Sequence, residues 1–183
     1  EKEGKFSIAG FVEKSKQSVR EFMSYQLIGN DNDLEELFHN YKHALVTVGQ
    51  IRSASVRKRL YTQLMTVGYK LPVVISPFSY ISKYASIGAG TIIMHDSVVN
   101  AAALIGRNSI INNKSLIEHD SVIGDHCHVS TGAIINGEVK VGSGTFIGSG
   151  AVIYNGVTIG SNCIISAGTV IRKSVVSDSV IKK

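Results

Sequence analysis

At 183 residues the chain is long enough for one domain or two small ones, with ample material for a core. Eighteen glycines against two prolines and no tryptophan, among many Ile, Val, Ser and Ala, point to a β-rich solenoid and away from a helical bundle. The net charge of +5 suits a solubilising surface or attraction of an anionic small molecule, and no basic cluster interleaved with aromatics invites nucleic acid. No apolar run reaches membrane-spanning length and no signal-peptide pattern opens the chain, so a cytoplasmic protein without membrane insertion is expected.

The first 72 residues carry an α/β pattern. "KFSIAGFV" reads as a strand ending near Val12, and "YQLIGND" as a short strand leading into a helix that starts around Asn30 to Asp33 with "LEELF". "HALVTVG", from His43 to Gly49, reads as a buried strand. "SASVRKRLYTQLMTVG" reads as a helix with Val56, Leu60 and Leu64 on one face and Gly68 as its C-terminal cap. Alternating strands and helices imply a small parallel, Rossmann-like sheet. Its usual opening, a central strand with a glycine-rich turn and a helix, is absent here, so the α/β domain is expected to be truncated. His39 and His43 are expected to flank a helix and carry no chemistry.

From residue 73 to 183 the pattern changes. Every sixth residue from Ile75 to Ile171 is Ile or Val, seventeen positions without an insertion. The position four further on (Ser97, Ala103, Ser109 and so on) is small or β-branched throughout. Six residues fit neither a helix nor a long strand. They fit a short strand and a tight turn, three of which make one triangular coil of a parallel β-helix. Glycine often follows the aliphatic residue, as at Gly88, Gly106, Gly124, Gly142, Gly148 and Gly160, which suggests backbone conformations that other residues reach at a cost. Cys127 and Cys163 share the small position two coils apart, ~10 Å at the usual strand spacing, too far for a disulfide. Both are expected to be inert.

The stretch "IEHDSVIGDHCH" concentrates His119, His126 and His128 with Glu118, Asp120, Asp125 and Cys127. His119 comes two residues after the inward Ile117, where the chain leaves its strand. Its counterparts one coil away are the small Ala101 and Gly137, so a groove can open beside the ring. An imidazole titrating near ~6.5 suits removal of a proton from an attacking amine or hydroxyl. A zinc site is not expected, because Cys127 should point into the core while the histidines point elsewhere. His126 is expected to be a solvated turn residue.

The repeat, and especially "INNKSLIEHDSVIGDHCHVSTGA" and "VKVGSGTFIGSGAVIYNGVTIGSNCIISAGTVIRK", resembles the hexapeptide-repeat acyltransferases. With the α/β segment ahead of it, the chain is similar to the branch of sialic acid O-acetyltransferases and UDP-4-amino-sugar N-acetyltransferases of bacillosamine synthesis. The resemblance implies a left-handed β-helix, a homotrimer with active sites between adjacent subunits, acetyl-CoA as co-substrate, no metal, and a sugar or sugar nucleotide as acceptor. It implies His119 as general base with Asp120 as its partner, Glu118 being the rival. It also implies His128, Gly137, Ser149 and Ala167 at the coenzyme; Arg172 and Lys173 suit its phosphates or a solvated C-terminal end equally. Asn112 falls at the acceptor sugar. "GFVEKSK" and "LVTVGQ" resemble strand ends lining a nucleotide pocket, with Glu13 and Lys14 where paired aspartates are usual. Transfer to the 4-amino group of a UDP-linked deoxysugar is the expectation. O-acetylation of a sialic- or legionaminic-type sugar, or a non-catalytic binding or scaffold module, are the alternatives.

Overall fold

The six-residue period predicts short parallel strands stacked in register eighteen residues apart, and the chain folds that way. The computed structural model describes residues 4–14 and 21–182. These divide into two compact units, one of Glu1–Ala44 with Thr62–Leu71 and one of Leu45–Tyr61 with Pro72–Lys183.

In the first unit, strand β1 (Phe11–Val12) pairs in parallel with β3 (Tyr25–Gly29), and β2 (Glu21–Phe22) joins β3 antiparallel. Helix α1 (Leu34–Asn40) follows, as "LEELF" predicts. Helix α2 (Ser55–Val67) ends in this unit at Gly68, whose φ of +106° only glycine adopts freely. The Tyr69 N–H bonds the Leu64 carbonyl and the Gly68 N–H the Met65 carbonyl, a Schellman cap. Leu34, Leu64, Tyr69 and Leu71 are buried, and the Tyr69 hydroxyl donates to the Leu34 carbonyl at 2.8 Å. Of the expected Rossmann-like sheet, the described residues show the single parallel pair β1–β3.

Two expectations for the helical segment are corrected. The strand predicted over His43–Gly49 forms no ladder beyond an isolated bridge from His43 to Lys70. Its carbonyls go to a side chain instead: those of Val46 and Val48 accept the Arg57 guanidinium. The predicted face of α2 is also rotated. Val56 is 50 % exposed, whereas Arg57, Tyr61 and Leu64 are buried. The buried polar contacts of Arg57 outweigh the apolar count that suggested Val56.

In the second unit the solenoid has three faces of seven, six and five parallel strands. Partners along each face are eighteen residues apart, as in Ile111 with Val129, Ile117 with Ile135 and Ile123 with Val141. The inward positions from Ile93 to Ile171 are all buried. Each contributes on the order of 1.5–3 kcal/mol by removal from water. Four buried hydroxyls at the small position, those of Ser97, Ser109, Ser121 and Thr145, each donate to a carbonyl fifteen residues on, whereas Thr169 Oγ1 is buried without a partner among the described residues. Cys127 replaces such a serine, and its Sγ reaches the Gly142 carbonyl at 3.2 Å. Both cysteines are free and buried, and burial pushes the Cys127 thiol up to about 12, so it is no nucleophile at neutral pH. The last coil is shorter, with Ser161 meeting Ser177 sixteen residues on.

The glycine reading is corrected in its cause. Gly142 has no positive φ, but a Cβ there would lie 2.5 Å from the Ser161 backbone nitrogen of the next coil. Glycine is needed for close approach. The left-handed conformation falls two residues later, where Asn108, Asp120 and His126 adopt it as well as glycines such as Gly144 and Gly150. No helix among the described residues is long and apolar enough to cross a membrane.

Candidate active site

The solenoid repeats every eighteen residues, so residues at that spacing form columns along its corners. One corner, where the six-strand face turns into the five-strand face, carries the column Ala101, His119, Gly137 and Asn155. Backbone bonds stitch it: the Glu138 N–H donates to the His119 carbonyl at 3.0 Å and the Gly156 N–H to that of Gly137 at 3.0 Å. A Cβ on Gly137 would lie 2.8 Å from both Cε1 and Nε2 of His119. The imidazole therefore lies over the bare Gly137 backbone, as the small residue one coil away predicts.

Asp120, at φ +58°, turns its carboxylate back on its neighbour, and Oδ2 lies 2.9 Å from His119 Nδ1. A carboxylate only accepts, so Nδ1 carries the proton and Nε2 presents a lone pair. The rival, Glu118, is occupied: its Oε2 accepts from Asn100 Nδ2 at 2.8 Å. The hydrogen bond to Asp120 raises the His119 pKa above its ordinary value, with the charges of Asp120, Glu118 and Glu138 acting in the same direction. Both side chains of the pair are more than half exposed, so a substrate can reach the ring.

Asp120→Asn removes the largest cause of that shift. The expected result is a lower His119 pKa, so that the neutral ring persists to lower pH. Titration of the imidazole by NMR in both proteins checks it, and an unmoved midpoint would remove Asp120 from the role.

Asn112, Ser149 and Ala167 lie at a different corner, where the seven-strand face turns into the six-strand face. Ser149 and Ala167 follow His95, Asn113 and Thr131 in one column, exposed except at the half-buried Asn113, and the Ser149 hydroxyl bonds that of Ser130 at 2.9 Å. Asn112 sits beside this column. Its Oδ1 accepts from the Asn113 N–H, and its Nδ2 donates to His128 Nε2 at 3.1 Å. A single chain thus keeps His119 and Gly137 on one edge of the prism and Asn112, Ser149 and Ala167 on another.

His128 is buried, with both nitrogens engaged inside the chain. Nδ1–H donates to the Gln50 carbonyl at 2.6 Å and Nε2 accepts from Asn112, and burial lowers its pKa. The expected solvated His126 is corrected: it is partly buried, takes a hydrogen bond from Asn108 Nδ2 at 2.9 Å, and meets Tyr61 edge-on. Burial lowers its pKa as well. Sequence reasoning missed the supporting residues. Gln50 donates to the carbonyls of His126 and Gly144, and Arg57, with its pKa lowered to about 10 by burial, donates to the Asn108 carbonyl. No periodicity could reveal them, because their partners lie tens of residues away. Among the described residues no group of three His, Cys, Asp or Glu is arranged to hold a metal.

Glu13 and Lys14 lie in the first unit, immediately after β1. The Glu13 N–H donates to the Gly29 carbonyl at the end of β3, and the Lys14 N–H to Glu13 Oε1. Both are exposed at the end of the parallel pair. Ser15 and Lys16 of the "GFVEKSK" stretch lie outside the described residues. Arg172 stacks on Tyr154 with its guanidinium 5.0 Å from the ring centre. Tyr154 and Arg172 occupy the column next to that of His119.

The bacterial transferase hexapeptide family (six repeats) matches residues 138–173. Comparison with curated protein sequences gives no match. Among solved structures, the perosamine N-acetyltransferase of Caulobacter crescentus, in complex with CoA and GDP-perosamine, is 28 % identical, with a TM-score of 0.85 over 88 % of this chain and 76 % of that one. The acetyltransferase domain of PglB from Neisseria gonorrhoeae, in complex with acetyl coenzyme A, is 26 % identical, with a TM-score of 0.85 over 93 % and 83 % of the two chains. WeeI from Acinetobacter baumannii shares the fold at 22 % identity and a TM-score of 0.76, over 95 % and 82 %. The resemblance to hexapeptide-repeat sugar acetyltransferases therefore holds in both repeat and fold.

Proposed function

We propose that this acetyltransferase moves the acetyl group of acetyl-CoA to the 4-amino group of a nucleotide-linked deoxysugar, UDP-linked in the first instance. The observation that carries the reading is the exposed His119–Asp120 pair with its Nε2 lone pair standing over Gly137. The amine attacks the thioester carbonyl, forming the C–N bond. His119 Nε2 takes the ammonium proton, Asp120 stabilises the imidazolium at Nδ1, and collapse of the tetrahedral intermediate breaks the C–S bond. The departing coenzyme thiolate then receives that proton. A backbone N–H at Gly137 is assigned to the oxyanion. Ser149 and Ala167 are assigned to the pantetheine arm, and Glu13 and Lys14 to the nucleotide. His128, whose ring nitrogens are taken, enters as the support of Asn112 at the acceptor and as packing beside the coenzyme.

The same reading makes the protein a left-handed solenoid that works as a homotrimer. Two observations support the trimer. The assigned residues sit on two separate corners, so a neighbouring copy must bring them together. The six-strand face between those corners points Tyr80, Val98, Leu116, Ile134, Val152 and Val170 outward, all apolar and none buried. The five-strand face is mixed, presenting Ser86, Lys140 and Thr158 beside Leu104 and Val122. The middle of the seven-strand face is already covered within the chain, at Ile110 and His128. An exposed apolar stripe of this kind marks an interaction surface.

Free-thiol release from acetyl-CoA, measured with UDP- and GDP-linked 4-amino deoxysugars and with free sialic-type sugars, tests the reading. Release with a nucleotide-linked amino sugar is the expected result. Release with the free sugar acid alone would replace N-acetylation by O-acetylation, and silence with all of them would overturn the reading.

A further inference from the structure

One ionisable group on the acceptor side is held in place by a contact that the reaction above does not use. His95 belongs to the corner column that continues through Asn113, Thr131, Ser149 and Ala167. Its Nδ1 lies 2.6 Å from the Oγ of Ser76, a buried residue. That Oγ accepts the Phe78 N–H at 3.1 Å, and among the described residues His95 Nδ1 is the one acceptor within reach of its buried hydroxyl proton, so the proton goes to Nδ1. Nε2 is then the protonated nitrogen of an exposed ring. Phe78 meets the ring edge-on at 5.9 Å, and the His95 N–H donates to Asn113 Oδ1 at 3.0 Å. Ser76 and Phe78 thus hold the ring, while the His95 backbone is tied to Asn113, the residue next to Asn112, and a ring hydrogen-bond donor faces out.

The height of this donor along the solenoid indicates what it meets. In a cyclic trimer whose axis runs along the coils, every residue keeps its height from one copy to the next. Asn112, Asn113 and His119 share one coil. Ser149 and Ala167, assigned to the pantetheine arm, lie two and three coils toward the C-terminus. His95 lies one coil the other way, ~4.8 Å from Asn113. With the reacting nitrogen at the level of His119 and the coenzyme arm on one side of it, the sugar ring falls on the side of His95.

We propose that His95 is a specificity-determining contact to the acceptor: its Nε2–H, oriented by Ser76, donates to a hydroxyl of the sugar ring. Hydrogen-bonding side chains (Asn112, Asn113, His95) with an aromatic ring beside them suit a carbohydrate, whose hydroxyls need partners and whose C–H faces need apolar surface. Phe78, 58 % exposed, supplies that surface. The inference rests on the reading of the protein as a sugar acetyltransferase and adds to it the determinant of sugar choice.

The test is steady-state kinetics of the full chain with UDP- and GDP-linked 4-amino deoxysugars, comparing His95→Leu, His95→Gln and Ser76→Ala. Loss of one hydrogen bond predicts that His95→Leu raises KM for the sugar nucleotide by about fivefold to tenfold, with KM for acetyl-CoA unchanged. His95→Gln, whose amide can donate, recovers part of the loss. Ser76→Ala, which frees the ring, falls between His95→Leu and wild type. A wild-type sugar KM in His95→Leu, or an equal rise in both KM values, overturns the contact while leaving the acetyltransferase intact. Wild-type silence with every acceptor overturns the functional reading and this inference with it.

Discussion

His119→Ala lowers kcat by about 10²–10⁴, the range that a positioned general base contributes, and leaves acetyl-CoA binding within about twofold of wild type by calorimetry, as a group acting only in the transition state should. The two halves of the prediction rest on separate facts. His119 is half exposed and touches its surroundings through Asp120 and the bare backbone of Gly137. Truncation opens no cavity, and the melting temperature should hold. Its Nε2 is the one nitrogen of the pair with a lone pair facing outward, so no neighbour can take over. Asp120 lies behind the ring at Nδ1, and Glu118 is held by Asn100. Coenzyme binding lost in step with activity would make His119 a structural residue, and retention of more than about a tenth of kcat would place the base elsewhere.

Gly142→Ala destabilises the solenoid by about 3 kcal/mol or more, the upper range for overpacking, which lowers the melting temperature by roughly 10 °C for a chain of this size. The added methyl would meet the Ser161 nitrogen at 2.5 Å and the Gly160 carbonyl carbon at 2.6 Å. Both are backbone atoms held by the ladders of two coils, so neither can yield without moving its whole coil. Gly156→Asn is the control. Gly156 has φ +69°, and a Cβ added there would have no atom within 4 Å. Asparagine is the residue that best tolerates that conformation. Its expected cost is under ~1 kcal/mol. Thermal unfolding of the two variants decides the point. Equal losses would mean that backbone conformation, and not the approach of the next coil, demands the glycines.

These expectations show which features were legible in the residues. His119 could be placed from its distance to Ile117 and from the small residues eighteen positions away, because in a solenoid the spatial neighbour is also a fixed distance along the chain. The inertness of Cys127 followed from the same register. The partial burial of His126 and the contacts of His128 were illegible for the opposite reason. Their partners are Tyr61 and Gln50, which belong to a segment without the repeat, and no spacing connects them. Arg57 illustrates the limit further. In the sequence it is one of many charged residues on a helix, and only its hydrogen bonds to the Val46, Val48 and Asn108 carbonyls show that it is buried.

The sequence by itself determined the solenoid, its three-strand coil, its buried aliphatic column and the coil on which His119 stands. It could do so because each coil packs mainly on the next, and one local period therefore dictates the packing along its length. The tertiary structure decided the rest: that Asp120 and not Glu118 holds the imidazole, that His128 is spent inside the chain, that Ser76 aims His95 outward, and that the assigned site residues fall on two corners of the prism. Those outcomes depend on which hydrogen-bond partner reaches a given atom first. Such competition is settled by three-dimensional proximity, within fractions of an ångström, and leaves no trace in residue spacing.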